Sequence, residues 1–119
     1  MHQVRLELQT MAEKIKLVQG DVNRPQIQAT ITDENTETAI NITGATVVMK
    51  FRQVGATTLQ ATLPGVVTDG TNGVCVFEMS ATALSGDPGT YEGEIQVTFS
   101  NGDIQTVYDL LKFQVREDF

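Results

Sequence analysis

Apolar and polar side chains alternate along most of this chain. The alternation is most regular over residues 91–99, where Tyr91, Gly93, Ile95, Val97 and Phe99 share one face and Glu92, Glu94, Gln96 and Thr98 the other. A period of two is that of a half-buried antiparallel strand. Asn101-Gly102 follows, and both central residues of a type I′ hairpin turn need positive φ, which Asn and Gly adopt most easily. The spacing therefore predicts a returning strand from Ile104 and a break near Asp109. In the last strand Leu111, Phe113 and Val115 alternate with Lys112, Gln114 and Arg116.

Upstream the same pattern repeats. Ile15 and Leu17 face inward in a short strand closed by Gly20-Asp21. After Pro25, residues 26–32 put Ile27, Ala29 and Ile31 inside and Gln26, Gln28, Thr30 and Thr32 outside. Residues 33–38, DENTET, read as an exposed polar loop, and Ile40 and Ile42 as a brief strand. Over residues 45–53, Val47, Met49 and Phe51 point inward and Lys50 and Arg52 toward water. Residues 57–63 predict a strand with Leu59, Ala61 and Leu63 on one face, and Pro64-Gly65 a turn. Residues 69–73 form the loop of a hairpin whose second arm buries Cys75, Phe77 and Met79, and residues 80–84 a helical turn. Turn signals recur about every 8 to 12 residues and no helical period persists, so the chain reads as an all-β antiparallel sandwich of about seven to nine strands.

The N-terminus leaves two readings open. Val4, Leu6 and Leu8 alternate with Gln3, Arg5, Glu7 and Gln9, and Met11 would serve equally well as a start. Residues 1–13 are either an extension or a strand-like arm that adds to a sheet edge, on this chain or a neighbour, and residues 14–119 are the sandwich domain. Burying three side chains gives on the order of 5 kcal/mol, while fixing ten backbones costs roughly 10 kcal/mol or more. Such an arm orders only if it also gains a ladder of backbone hydrogen bonds.

Composition narrows the function. A chain of 119 residues is one domain, and none of its apolar runs approaches the roughly 20 residues of a membrane span. The first ten residues lack the apolar core and cleavage site of a signal peptide, and the single cysteine, Cys75, fits synthesis in a reducing compartment. A net charge of −7 with scattered basic residues argues against nucleic acid; it reads first as a solvated acidic surface that keeps the free subunit soluble, and such a surface would favour a partner with a basic patch.

Candidate chemistry is sparse. His2 is the only histidine, so neither a Ser/His/Asp triad nor a zinc site can be assembled within one chain. Asp33, Asn35 and Glu37 are spaced like the opening of a calcium loop, but Thr38 and Gly44 stand where an EF-hand needs its glycine and its last carboxylate. Cys75 sits in an apolar alternation, the setting of an inert thiol. Glu92 and Glu94 share a strand face without tryptophan or histidine nearby, which reads as a solvated face rather than a glycosidase pair. Asn41-Ile42-Thr43 is a glycosylation pattern only in a eukaryotic secretory protein. Tyr91, at the start of the long strand, is placed to tie a loop through its hydroxyl, and structural use is the default reading of Tyr108 as well.

Gly20-Asp21 after the first strand, the stretch Ile42-Thr43-Gly44-Ala45, Pro88-Gly89-Thr90-Tyr91 before the long strand and Asn101-Gly102 in the last hairpin give residues 14–115 a resemblance. They are similar to the immunoglobulin-like domain of tail and baseplate proteins of tailed bacteriophages, including the N-terminal domain of the upper baseplate protein family. The resemblance implies an immunoglobulin-like sandwich with a structural, non-enzymatic role in a virion, made in the host cytoplasm. Its partners would be other virion proteins, as a homo-oligomer or within a larger assembly, with no cofactor, catalytic residue, metal, nucleic acid or membrane. Tail, baseplate, neck and capsid surface all stay open. Val4, Leu6 and Leu8 are the candidate oligomer contacts, and Asp33, Asn35, Glu37, Asp69 and Asn72 the candidate loop contacts. The alternative is an adhesion module that binds a host-surface glycan or protein through these loops.

Overall fold

The computed structural model describes residues 4–8, 15–20, 26–33, 36, 38–107 and 110–117, with the backbone alone for 4–8. Among the described residues lie nine strands: β1 (Val4–Leu8), β2 (Ile15–Val18), β3 (Gln26–Asp33), β4 (Thr46–Gln53), β5 (Ala61–Asp69), β6 (Val74–Glu78), β7 (Gly89–Thr98), β8 (Ile104–Thr106) and β9 (Leu111–Arg116). Two 3-10 turns, Gly70–Asn72 and Ala83–Ser85, complete the ordered elements. The strands form one curled sheet in two layers: β1-β3-β6-β5, here sheet A, and β5-β4-β7-β9-β2, sheet B, with β8 beside β7. The result is an all-β immunoglobulin-like sandwich. Every strand pair but one is antiparallel; β2 runs parallel to β9. Those two strands come from opposite ends of the chain, so no hairpin dictates their relative direction.

β5 belongs to both layers. Residues 61–64 pair with β4 and residues 65–69 with β6, so the chain changes sheets at Pro64-Gly65. The turn expected there is instead the interior of a nine-residue strand. Pro64 has no N–H to leave unpaired as the ladder is handed over. Gly65 lies where a Cβ would come within 2.6 Å of Phe77 Cε1 and 2.6 Å of Val47 Cγ2, one from each layer. A bend of this kind is how one strand serves two packed sheets. Upstream of it, residues 57–60 are irregular, and Leu59, expected inside, is 49% exposed.

β7 is the centre of sheet B. It pairs with β4 over eight residue pairs, from Thr46–Thr98 to Gln53–Tyr91. Its other edge is shared by β8 near one end and β9 near the other. The hairpin after β7 departs from the two-residue turn that Asn101-Gly102 suggests. Phe99 N donates to Asp103 O at 2.8 Å and Gly102 N to Phe99 O at 2.9 Å, so three residues close the loop and left-handed Gly102 (φ 94°) ends it. The Asn101 Oδ1 accepts from Asp103 N at 3.0 Å, which braces this longer loop.

Between the layers the alternation read from the sequence becomes the core. Ile27, Ala29, Ile31, Cys75 and Phe77 come from sheet A, and Val47, Met49, Phe51, Tyr91, Ile95, Val97, Phe113 and Val115 from sheet B. The Phe51 ring stacks on Tyr91, with centroids 4.9 Å apart and planes 4° apart, and meets the Phe113 ring edge-on at 5.1 Å. Fully burying such a ring gives about 1.5–3 kcal/mol, so this trio anchors the β4-β7-β9 end of the sandwich. The Tyr91 hydroxyl donates to the Asp87 carbonyl at 2.7 Å and ties the loop before β7 to the core, the use its position predicts. Ser80 Oγ accepts from Ala83 N at 3.1 Å and starts the short 3-10 turn where a helical turn is expected. Thr32, expected outside, is buried where its backbone bridges Ala39.

Candidate docking surfaces

β1 is the outermost strand of sheet A. Val4, Leu6 and Leu8 stand opposite Asp33, Ile31 and Ala29 of β3, with Arg5 and Glu7 between them. Backbone pairing is thus the contact that places the candidate oligomer residues. Their side chains lie outside the described residues.

The candidate loop residues do not gather in one place. Asp33 closes β3, is 5% exposed, and accepts from Thr36 N at 3.4 Å through Oδ1, so it braces the base of its loop. Asn35 and Glu37 lie outside the described residues. Asp69 and Asn72 sit at the tip of the β5–β6 hairpin, where the Asn72 amide donates to Asp69 Oδ2 at 2.8 Å. This hydrogen bond shapes an exposed tip. Tyr108 and His2 also fall outside the described residues.

The outer face of sheet B holds an arrangement that the sequence does not announce. Strand register aligns Arg52 of β4, Glu92 of β7 and Lys112 of β9 in one row across three strands. Arg52 Nε donates to Glu92 Oε2 at 2.7 Å, and Lys112 Nζ lies 3.5 Å from Glu92 Oε1. Glu92 is 8% exposed, so the solvated pair expected from Glu92 and Glu94 is half wrong. Flanking strands cover Glu92 and give it two cations. The hydrogen bond from Arg52 holds its carboxyl below the usual carboxylate range, against burial, which pushes the other way. Beside this row Leu59 and the 37%-exposed Leu110 rim a hollow of about 130 Å³ over Lys50, Arg52, Glu92 and Glu94. The face was hidden in the sequence because Lys50, Arg52, Glu92, Glu94 and Lys112 become neighbours only through pairing register.

A second concavity opens where β5 leaves β6. It is a groove of about 580 Å³ with Leu63 and Met79 at its base and Pro64, Val66, Val76 and Glu78 along its walls; Val66 is 65% exposed. Neither hollow is lined by a histidine or a cysteine. Among the described residues no cluster of three His, Cys, Asp or Glu is placed to hold a metal. Cys75 is buried, and burial pushes its thiol up to about 11, far from a reactive thiolate. Among the described residues no helix is long and apolar enough to cross a membrane.

Comparison with known proteins places this geometry in context. No curated protein matches the chain. CopC from Methylosinus trichosporium OB3b is a similar solved structure, with a TM-score of 0.54 at 10% identity over 98% of this chain and 97% of that one. The GspB Siglec domain gives 0.54 at 15% identity, over 99% of this chain and 59% of that one. The fibronectin(III)-like modules of CbhA from Clostridium thermocellum give 0.50 at 12%, over 98% and 48%. At these identities the likeness is one of fold. The family model of the BppU N-terminal domain matches residues 2–119, and the chain therefore belongs to that family of phage baseplate upper protein domains.

Proposed function

We propose that the chain is a non-enzymatic structural subunit of a tailed-phage virion and acts through contacts with neighbouring subunits. The observation that carries this reading is the family match over residues 2–119. A rigid two-layered domain is suited to such a task, because it presents edges and faces that symmetry repeats many times. Its synthesis in the host cytoplasm and incorporation as a homo-oligomer, or within a larger assembly of virion proteins, belong to the same proposal.

The contact we assign first is the arm of residues 1–13, with residues 14–119 as the domain it extends. β1 is an edge strand held by its pairing with β3. A strand so placed can pair in the same register with β3 of a neighbour, and Val4, Leu6 and Leu8 then serve as inter-subunit contacts. Deleting residues 1–10 is expected to lower the mass seen by light scattering and to reduce incorporation into particles. Unchanged mass together with unchanged incorporation overturns the assignment. The adhesion alternative rests on the exposed tip of Asp69 and Asn72 and predicts saturable binding of an isolated monomer to host envelope.

A further inference from the structure

The charges of this chain are sorted by layer. Lys16 of β2, Lys50 and Arg52 of β4, and Lys112 and Arg116 of β9 are all the basic side chains that the structure describes. Each occupies an outward position of sheet B, alternating with the buried Leu17, Met49, Phe51, Phe113 and Val115. Against these five stand Glu92 and Glu94 on the same face. Among the described side chains the face therefore has a surplus of three positive charges, whereas the rest carry six carboxylates, Asp33, Asp69, Glu78, Asp87, Asp103 and Glu117, and no Lys or Arg. On the outer face of sheet A the carboxylate of Glu78 is the charged side chain among those described, and Arg5 and Glu7 of β1 hold register positions opposite Thr32 and Thr30.

We infer that the outer face of sheet B is a docking surface for the acidic surface of a second copy of this chain, in a head-to-tail contact. The inference rests on the assembly reading above and names its partner. Charge complementarity within one sequence is the argument: a cationic face and a strongly anionic remainder attract between copies and repel when like meets like. The hollow over Lys50, Arg52, Glu92 and Glu94 adds two exposed apolar side chains, Leu59 and Leu110, at the rim of this charged field. A polyanion is the less suited occupant. The central row alternates Arg52, Glu92, Lys112, with a carboxylate where a phosphate chain needs a cation, and the whole chain repels polyanions at a distance. A head-to-tail contact uses two different patches, so it grows into rings or filaments instead of stopping at a symmetric pair.

The test is sedimentation velocity of the full chain over a concentration series at about 50 mM and about 500 mM salt, where screening lengths differ severalfold. The wild type is expected to form larger species at low salt than at high salt, where only contacts that do not depend on charge persist. Lys16 and Lys50 lie outside the Arg52–Glu92–Lys112 row, so the double variant Lys16→Glu, Lys50→Glu is expected to keep the circular dichroism of the wild type and, alone, to gain no mass on going from high to low salt. Mixed with wild type, it caps growth at short species, because its acidic surface still fits a wild-type face. The milder Lys16→Gln, Lys50→Gln variant is expected to associate at an intermediate level and serves if the reversal unfolds. A wild type of the same size at both salt concentrations overturns the inference, as does association unaltered by either variant. Retention on polyphosphate beads without self-association overturns it in favour of a polyanion. In each of these cases undiminished incorporation into particles leaves the assembly reading standing, and lost incorporation of the wild type itself would remove that reading instead.

Discussion

Glu92 is the residue at which local pattern and tertiary environment diverge most. By alternation it belongs to water, yet it is enclosed by cations from both neighbouring strands. Its carboxyl is held below the ordinary value of 4.5, chiefly by the hydrogen bond from Arg52. A depressed acid contributes its stabilisation in full above the unfolded pKa and loses it as pH falls through the folded one. Urea unfolding is therefore expected to give a stability that is steady in this respect at about pH 6 and declines below about 4.5. Glu92→Gln is expected to cost on the order of 1 kcal/mol at neutral pH, since both partners are half exposed, and to shrink the acid-dependent loss. Identical pH profiles for wild type and variant would contradict this account.

Among the elements, β5 shows what strand identity requires beyond propensity. Pro64-Gly65 reads as a turn in isolation because both residues punctuate strands. In the fold the same two residues let one strand leave β4 and join β6 without a break in the chain's extended path. The space above Gly65 is filled by Phe77 and Val47, so Gly65→Ala forces core side chains of both layers apart. Overpacking of this kind costs roughly 1–3 kcal/mol, expected as a lower urea midpoint at unchanged slope. A Gly65→Ala variant as stable as the wild type would mean that the two layers are more loosely joined at this corner.

For the molecule as a whole, the pairings that close the sandwich are remote in sequence. β2 pairs with β9, and β4 with β7 across about forty residues. Loop closure must precede the contacts that reward it, so refolding is expected in the millisecond-to-second range typical of all-β sandwiches. Stopped-flow far-ultraviolet circular dichroism measures it, and microsecond refolding would show that local structure dominates. The assembly experiments on the N-terminal arm and on the sheet B face belong to this scale too, because each asks what a finished domain offers its neighbours.

Much of the architecture was legible residue by residue. Ile27, Val47, Phe51, Phe77, Ile95, Val97 and Phe113 are buried as their period of two predicts, because a pleated strand sends alternate side chains to opposite faces whatever its partners are. Tyr91 likewise ties its corner from a position recognisable in the chain. Pairing was not legible: the sheet change at Pro64-Gly65, the parallel β2–β9 edge and the three-residue hairpin loop depend on which strand lies alongside. The docking face was hidden for the same reason, since its five cations are spread from Lys16 to Arg116. Which side of each strand is oily follows from neighbours along the chain and can be read before folding; which outward charges stand together follows from register between strands and exists only once the sheets have formed.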